Sequence, residues 1–279
     1  MTTHKIEFED GTTNELKVHN TPARVEDVIL VLPAMGVRVS YYDAYAKAIG
    51  NENRVVYSVD LRGQGKSSIR ASKNVDWGYR EHIHDLDFIL NIIKNKYPNA
   101  KVFLLGHSLG GQMACLYSAK YPTKINGLIL IATCSVYYKG WRGWSGIKTL
   151  IGVRFIGLIN SCLGYYPGHK MGFGGKQGKT EIKDWYKNGI TGKYTVENEE
   201  IDYEAELLKA KARILAFTIK GDDFSPHKAT RNLLEKFNPS SSIEHITVEG
   251  NRETNHFNWT KYPEIFKDQI DGWINITNS

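Results

Sequence analysis

Apolar and polar residues alternate in KIEF (5–8) and ELKVH (15–19), as in strands with one face in water, and Asp10-Gly11 between them supplies a turn. VILVL (28–32) is a continuous β-branched run, the mark of a strand buried on both faces. RVVYSVD (54–60), KVFLL (101–105), GLILIA (127–132), RILAFTI (213–219) and SIEHITV (242–248) predict further strands. Helical patterns lie between them. YYDAYAKAI covers 41–49, and Ile83, Leu86, Leu90 and Ile93 share one face of a helix from Tyr79 to Tyr97 that Pro98 stops. QMACLYSAKY (112–121), a segment around 227–237, and PEIFKDQIDGWI (263–274) complete the set.

This alternation predicts an α/β fold, a mostly parallel eight-stranded sheet flanked by helices. The pattern breaks from about Ser135 to Tyr203, where no clean strand appears and half of the 26 glycines sit. An insertion explains the break better than two tandem domains. The expected organisation is a core of residues 1–134 and 205–279, with residues 135–204 as a cap.

Composition sets bounds. A chain of 279 residues with 41% hydrophobic and 24% charged residues can bury a substantial core. Its start, MTTHKIEFEDG, lacks the apolar stretch of a secretory signal. The most apolar long run, GIKTLIGVRFIGLINSCLGYY, is interrupted by Lys148, Arg154 and Asn160, which argues against a membrane span. Cys115, Cys134 and Cys162 form no C-x-x-C pair, so neither a disulfide framework nor a zinc site is expected, and a cytoplasmic location fits. Charge is unevenly placed: between Lys139 and Lys193 ten Lys or Arg face two acids, Glu181 and Asp184. Such a region suits a solvated face or an anionic partner.

Two glycine-rich stretches invite chemistry. GFGGKQGKT (172–180) looks like a phosphate loop, but the position five before Gly178 is Phe173, and the preceding LGYYPGHKM is no strand. A nucleotide cradle is therefore not expected, and the stretch falls in the cap. The second, Gly106-His107-Ser108-Leu109-Gly110, is a G-x-S-x-G with a buried strand before it and a helix after it. A serine hydroxyl needs exposure, positioning and a base to act as a nucleophile. A tight strand-to-helix turn exposes Ser108, and the free Leu109 N–H at the helix start supplies one oxyanion donor. The alternative is a glycine-rich turn with an incidental serine.

With these motifs the chain resembles the α/β-hydrolase superfamily. LPAMGV (32–37) stands where that family has its oxyanion loop, with Pro33-Ala34 in place of His-Gly, and the resemblance implies the Met35 N–H as second donor. DLRGQGKS (60–67) matches the family's D-x-R-G-x-G-x-S loop, in which Asp60 and Arg62 brace neighbouring segments. In KGDDFSP the family's aspartate four residues before a proline is Asp222, with Asp223 the other choice, one of the pair expected to cap the turn. The family's histidine after the last strand is His256, whereas His245 lies within a strand and His107 precedes the nucleophile, so both read as structural. YYKGWRGW (137–144) and LGYYPGHKMGFGG (163–175) resemble a bacterial subgroup related to monoglyceride-lipase-like and proline-iminopeptidase-like enzymes.

The implied activity is a serine carboxylester hydrolase working through Ser108, His256 and Asp222, with no metal or cofactor. Its partner is a small acyl substrate, for which the basic cap allows an anionic group. Acyltransferase or thioesterase chemistry on the same residues, and a non-catalytic binding protein of the same fold, are the alternatives. No nucleic-acid recognition motif accompanies the basic segment. Oligomeric state is not legible in the sequence.

Overall fold

The computed structural model describes residues 1–250 and 254–276. Strands β1 (Thr2–Glu7), β2 (Thr13–Val18), β3 (Asp27–Leu32), β4 (Arg54–Val59), β5 (Lys101–His107), β6 (Gly127–Ile131), β9 (Arg213–Ile219) and β10 (Ser242–Val248) form one eight-stranded sheet. Its order is β1-β2-β4-β3-β5-β6-β9-β10. The β1–β2 hairpin is antiparallel and joins β4 antiparallel at the edge; every other pairing is parallel. The expected fold class is what the chain adopts.

Strand β3 shows why the apolar runs are continuous. Val28, Leu30 and Leu32 enter one core, with helices α2 (Tyr79–Lys96) and α3 (Leu109–Lys120). Ile29 and Val31 enter the other, with α1 (Asp43–Ile49) and α9 (Glu264–Asn275). Successive strand side chains point to opposite faces, so a strand covered on both sides needs no polar position. Helix α8 (His227–Leu234) follows β9.

Between β6 and β9 the chain forms α4 (Gly143–Leu163), the two-residue strands β7 (Tyr166–Pro167) and β8 (Lys176–Gln177), the single turn α5 (Gly168–Met171), α6 (Lys179–Thr191) and α7 (Tyr203–Lys209). Helix α4 packs along α6, where the Gly157 position lies against the Tyr186 ring and Val153 lies against Gly189. Its buried residues, Gly146, Val153 and Asn160, recur every seven positions and mark its inner face. By length and composition alone α4 is apolar enough to cross a membrane, and 17% of its apolar window is buried inside the protein.

The two acids of the basic segment turn inward. Glu181 Oε2 accepts from Trp77 Nε1 (2.5 Å), and Asp184 accepts from the backbone N–H groups of Tyr79 and Glu197 (3.0 Å each). These bonds tie α6 to the start of α2. Burial pushes the Asp184 carboxyl up to about 7, with its two N–H donors acting in the opposite direction.

Candidate active site

Strand β5 runs into the turn at Ser108, whose φ of 51° and ψ of −116° lie where a residue other than glycine rarely sits. Glycines make the turn possible: a Cβ at Gly110 would stand 2.5 Å from the Leu32 carbonyl oxygen of the neighbouring strand. Helix α3 begins at Leu109, three residues earlier than the apolar pattern suggests, so its first N–H groups open at the serine. Ser108 is half-buried and lines a cavity of about 510 Å³.

His256 and Asp222 meet beside it. His256 Nδ1 lies 2.7 Å from Asp222 Oδ2, with both residues buried. The other carboxylate oxygen, Oδ1, accepts from the backbone N–H groups of Phe224 (2.8 Å) and Ser225 (3.2 Å). One aspartate thus both caps the turn and orients the imidazole, two duties that the sequence divides between Asp222 and Asp223. Asp223 is exposed, and its carbonyl accepts from Trp141 Nε1 (2.7 Å). With Nδ1 engaged, Nε2 is the ring nitrogen left for proton transfer. His256 lines the same cavity as Ser108; among the described residues no hydrogen bond joins the hydroxyl to the ring, as is common before substrate arrives.

Met35 and Leu109 also line this cavity, and among the described residues neither backbone N–H is donated to a protein acceptor. The loop carrying Met35 is held by groups that the sequence did not single out. The Ala34 N–H donates to Tyr42 Oη (3.0 Å), and the Tyr42 hydroxyl lies 2.6 Å from His107 Nδ1. The buried His107 ring is neutral, and one hydroxyl serves both it and the Ala34 amide. Burial first, then the nearby His256, hold His107 well below the usual histidine range, so this assignment agrees with its surroundings. Only the aromatic start of YYDAYA could have hinted at Tyr42. His245 bonds Thr218 Oγ1 (2.6 Å) and stacks on His227, away from the cavity.

Asp60 accepts from Val39 N–H (2.6 Å) and Lys66 N–H (2.9 Å), linking its own loop to the segment after Met35. Arg62 Nε donates to Asp85 Oδ2 (2.9 Å) on α2. The glycine-rich stretch between β7 and β8 lies as a strap over the Met35 loop. Gly174 and Gly175 lie directly on Met35 and Gly36, and Gln64 Nε2 donates to Gln177 Oε1 (2.9 Å). The rest of the wall is mostly apolar: Val136, Val153, Ile156, Phe173, Trp185, Phe224 and Phe257. Among the described residues no group of three or more His, Cys, Asp or Glu side chains gathers to hold a metal.

The sheet order, the Ser108 turn between β5 and α3 and the late-chain Asp222–His256 pair are the arrangement of the α/β-hydrolase fold. Residues 23–151 match the family described as serine aminopeptidase, S33. A monoglyceride lipase of Rattus norvegicus is 32% identical over 105 residues, which cover 38% of this chain and 34% of that protein. A monoacylglycerol lipase of Mycolicibacterium smegmatis is 29% identical over 110 residues, covering 37% and 36%. The matched stretch thus spans about a third of the length of these relatives. A thermophilic esterase from Thermogutta terrifontis has the same fold over all of both chains, with a TM-score of 0.63 at 17% identity.

Proposed function

We propose that this protein is a serine hydrolase that cleaves a carboxylic ester through an acyl-enzyme intermediate. The observation that carries the reading is that His256, paired with Asp222 behind it, lines the same cavity as Ser108 on its strained turn, with two undonated N–H groups alongside. Esterase and lipase relatives support it.

Each step uses a group described above. His256 Nε2 takes the Ser108 proton as Oγ attacks the ester carbonyl. Asp222 keeps the imidazole in the tautomer with its proton on Nδ1 and stabilises the imidazolium that forms. The Met35 and Leu109 N–H groups bind the developing oxyanion, the role that oriented donors fill most effectively in a water-poor site. His256 returns the proton to the leaving alcohol, and a water then attacks the acyl-enzyme with His256 again as base. The apolar wall suits the hydrocarbon part of an acyl chain.

The test is a panel of p-nitrophenyl esters of increasing chain length, with acyl-CoAs and aminoacyl amides alongside, run on the wild type and on Ser108→Ala. The expected result is ester turnover that falls by about 10⁴-fold or more in the variant. Labelling of the wild type but not the variant by a fluorophosphonate would accompany it. Turnover that survives Ser108→Ala unchanged, or a serine inert to the probe and to every ester, would overturn the reading.

A further inference from the structure

Helix α4 has two working faces. Gly152, Val153 and Ile156 on one side line the cavity that contains Ser108. On the other, Trp144 (76% exposed), Ile147, Ile151 (62%), Phe155 and Leu158 (62%) form an apolar stripe in contact with solvent. From Trp144 to Leu158 the stripe is about 21 Å long at 1.5 Å per residue. Five large apolar side chains in one exposed row are unusual on a soluble surface and mark a contact site.

The charge around the stripe says what covers it. Lys148 and Arg154 fall on its two flanks by helical spacing, and Arg142, Lys170 and Lys179 are exposed on the same segment. Between residues 139 and 193 the only acids are Glu181 and Asp184, both buried and bonded to Trp77 and to the first residue of α2. Lys183 and Lys187 are answered by Glu197, but Arg142, Lys148, Arg154, Lys170 and Lys179 make no ion pair among the described residues. A two-fold contact through this stripe would set its cations against their own copies. An anionic lipid surface satisfies both features together, since it accepts apolar side chains and attracts lysine and arginine.

We propose that α4 docks this protein on an anionic lipid bilayer, lying along the interface rather than crossing it. The inner face of the helix stays in the protein: Val153 packs on Gly189, and Asn160 Nδ2 donates to the Lys179 carbonyl (2.8 Å). A crossing helix would have to abandon both contacts. In the docked position the helix that touches lipid is also a wall of the cavity, so an amphiphilic ester can pass from bilayer to Ser108 without a free path through water. The docking itself does not depend on catalysis.

The experiment is flotation of the full chain with vesicles of phosphatidylcholine alone and of phosphatidylcholine mixed with phosphatidylglycerol, with Trp fluorescence recorded. Wild type and Ser108→Ala are expected to float with the mixed vesicles, at least about tenfold more than with neutral ones, and to lose much of this at high salt. A blue shift of emission that disappears in Trp144→Ser should accompany binding. The double variant Ile151→Ser/Phe155→Ser alters only exposed side chains; it should unfold at the wild-type temperature yet lose at least about tenfold in vesicle retention. Arg142→Glu/Arg154→Glu should remove the preference for anionic lipid. No retention on either vesicle, or retention untouched by both double variants, overturns the proposal. So does a dimer in solution that Ile151→Ser/Phe155→Ser dissociates without any vesicle binding, because the stripe then belongs to a second copy. Because Ser108→Ala is assayed for binding alone, failure here is separable from failure of the hydrolase reading.

Discussion

Gly175 of the cap lies backbone to backbone on Gly36 of the loop that carries Met35: a Cβ on Gly175 would stand 2.8 Å from the Gly36 Cα. The approach is possible only without a side chain, and both residues hold positive φ, 70° and 74°. Contact with Gly175 therefore fixes where the turn at Met35 sits, the turn whose N–H is the proposed oxyanion donor. Gly175→Ala should push that turn away and weaken one oxyanion donor. We expect kcat to fall by about tenfold or more with KM changed by less than about threefold, since the lost interaction belongs to the transition state. Gly11→Ala, equally left-handed but in open space, provides the control for backbone strain, and steady-state kinetics on one ester would compare the two.

The two neighbouring aspartates should separate cleanly. Asp222→Asn keeps the shape but lets His256 adopt the wrong tautomer, so kcat should fall by about 10⁴-fold. Asp223→Asn changes an exposed carboxylate with no bond to the histidine and should stay within about threefold of wild type. Equal losses in both variants would contradict the geometry.

Tyr42 joins the loop before Met35 to the strand before Ser108 through a single hydroxyl. In Tyr42→Phe the Ala34 N–H and His107 Nδ1 both lose their partner inside the protein. The expected cost is about 1–3 kcal/mol of stability, read from urea unfolding, together with a lower kcat. A variant as stable and as active as wild type would show that the bridge is dispensable.

Asp184 predicts a pH dependence. Burial disfavours the anion and pushes its carboxyl in the folded chain up to about 7, from the ordinary aspartate value of 3.8. The folded state therefore holds this proton more tightly than the unfolded one. The stability contributed is complete below about pH 4 and is lost as pH rises through about 7. In Asp184→Asn this slope should vanish. The stability of the variant relative to wild type should rise between pH 4 and 7 by on the order of a few kcal/mol, measured by denaturant unfolding at each pH. A relative stability that stays flat across that window would place the titration elsewhere.

Much of this was legible along the chain because the signals are local. Buried strands such as VILVL announce themselves by lacking polar positions, and the Ser108 turn announces itself by glycines that sterics require on either side. The histidine and the aspartate follow from order and spacing in a family resemblance, so their positions could be expected but not their contact. Less could be read in the cap. Helix α4 carries its large apolar residues outward, so a pattern that normally points to a core points here to the surface. Nor could spacing show that Asp222 does the work of two residues, since that depends on which carboxylate oxygen faces which donor.

What the sequence determined by itself was the sheet, the helices on its two faces and the strained serine turn, because backbone sterics and the periodicity of burial act between near neighbours. Only the tertiary structure decided that Gly175 would rest on Gly36, that Tyr42 would bridge Ala34 to His107, and that both acids of the basic segment would face inward. Those outcomes depend on the distances and burial that result when residues far apart in the chain are packed together, and no local pattern encodes them.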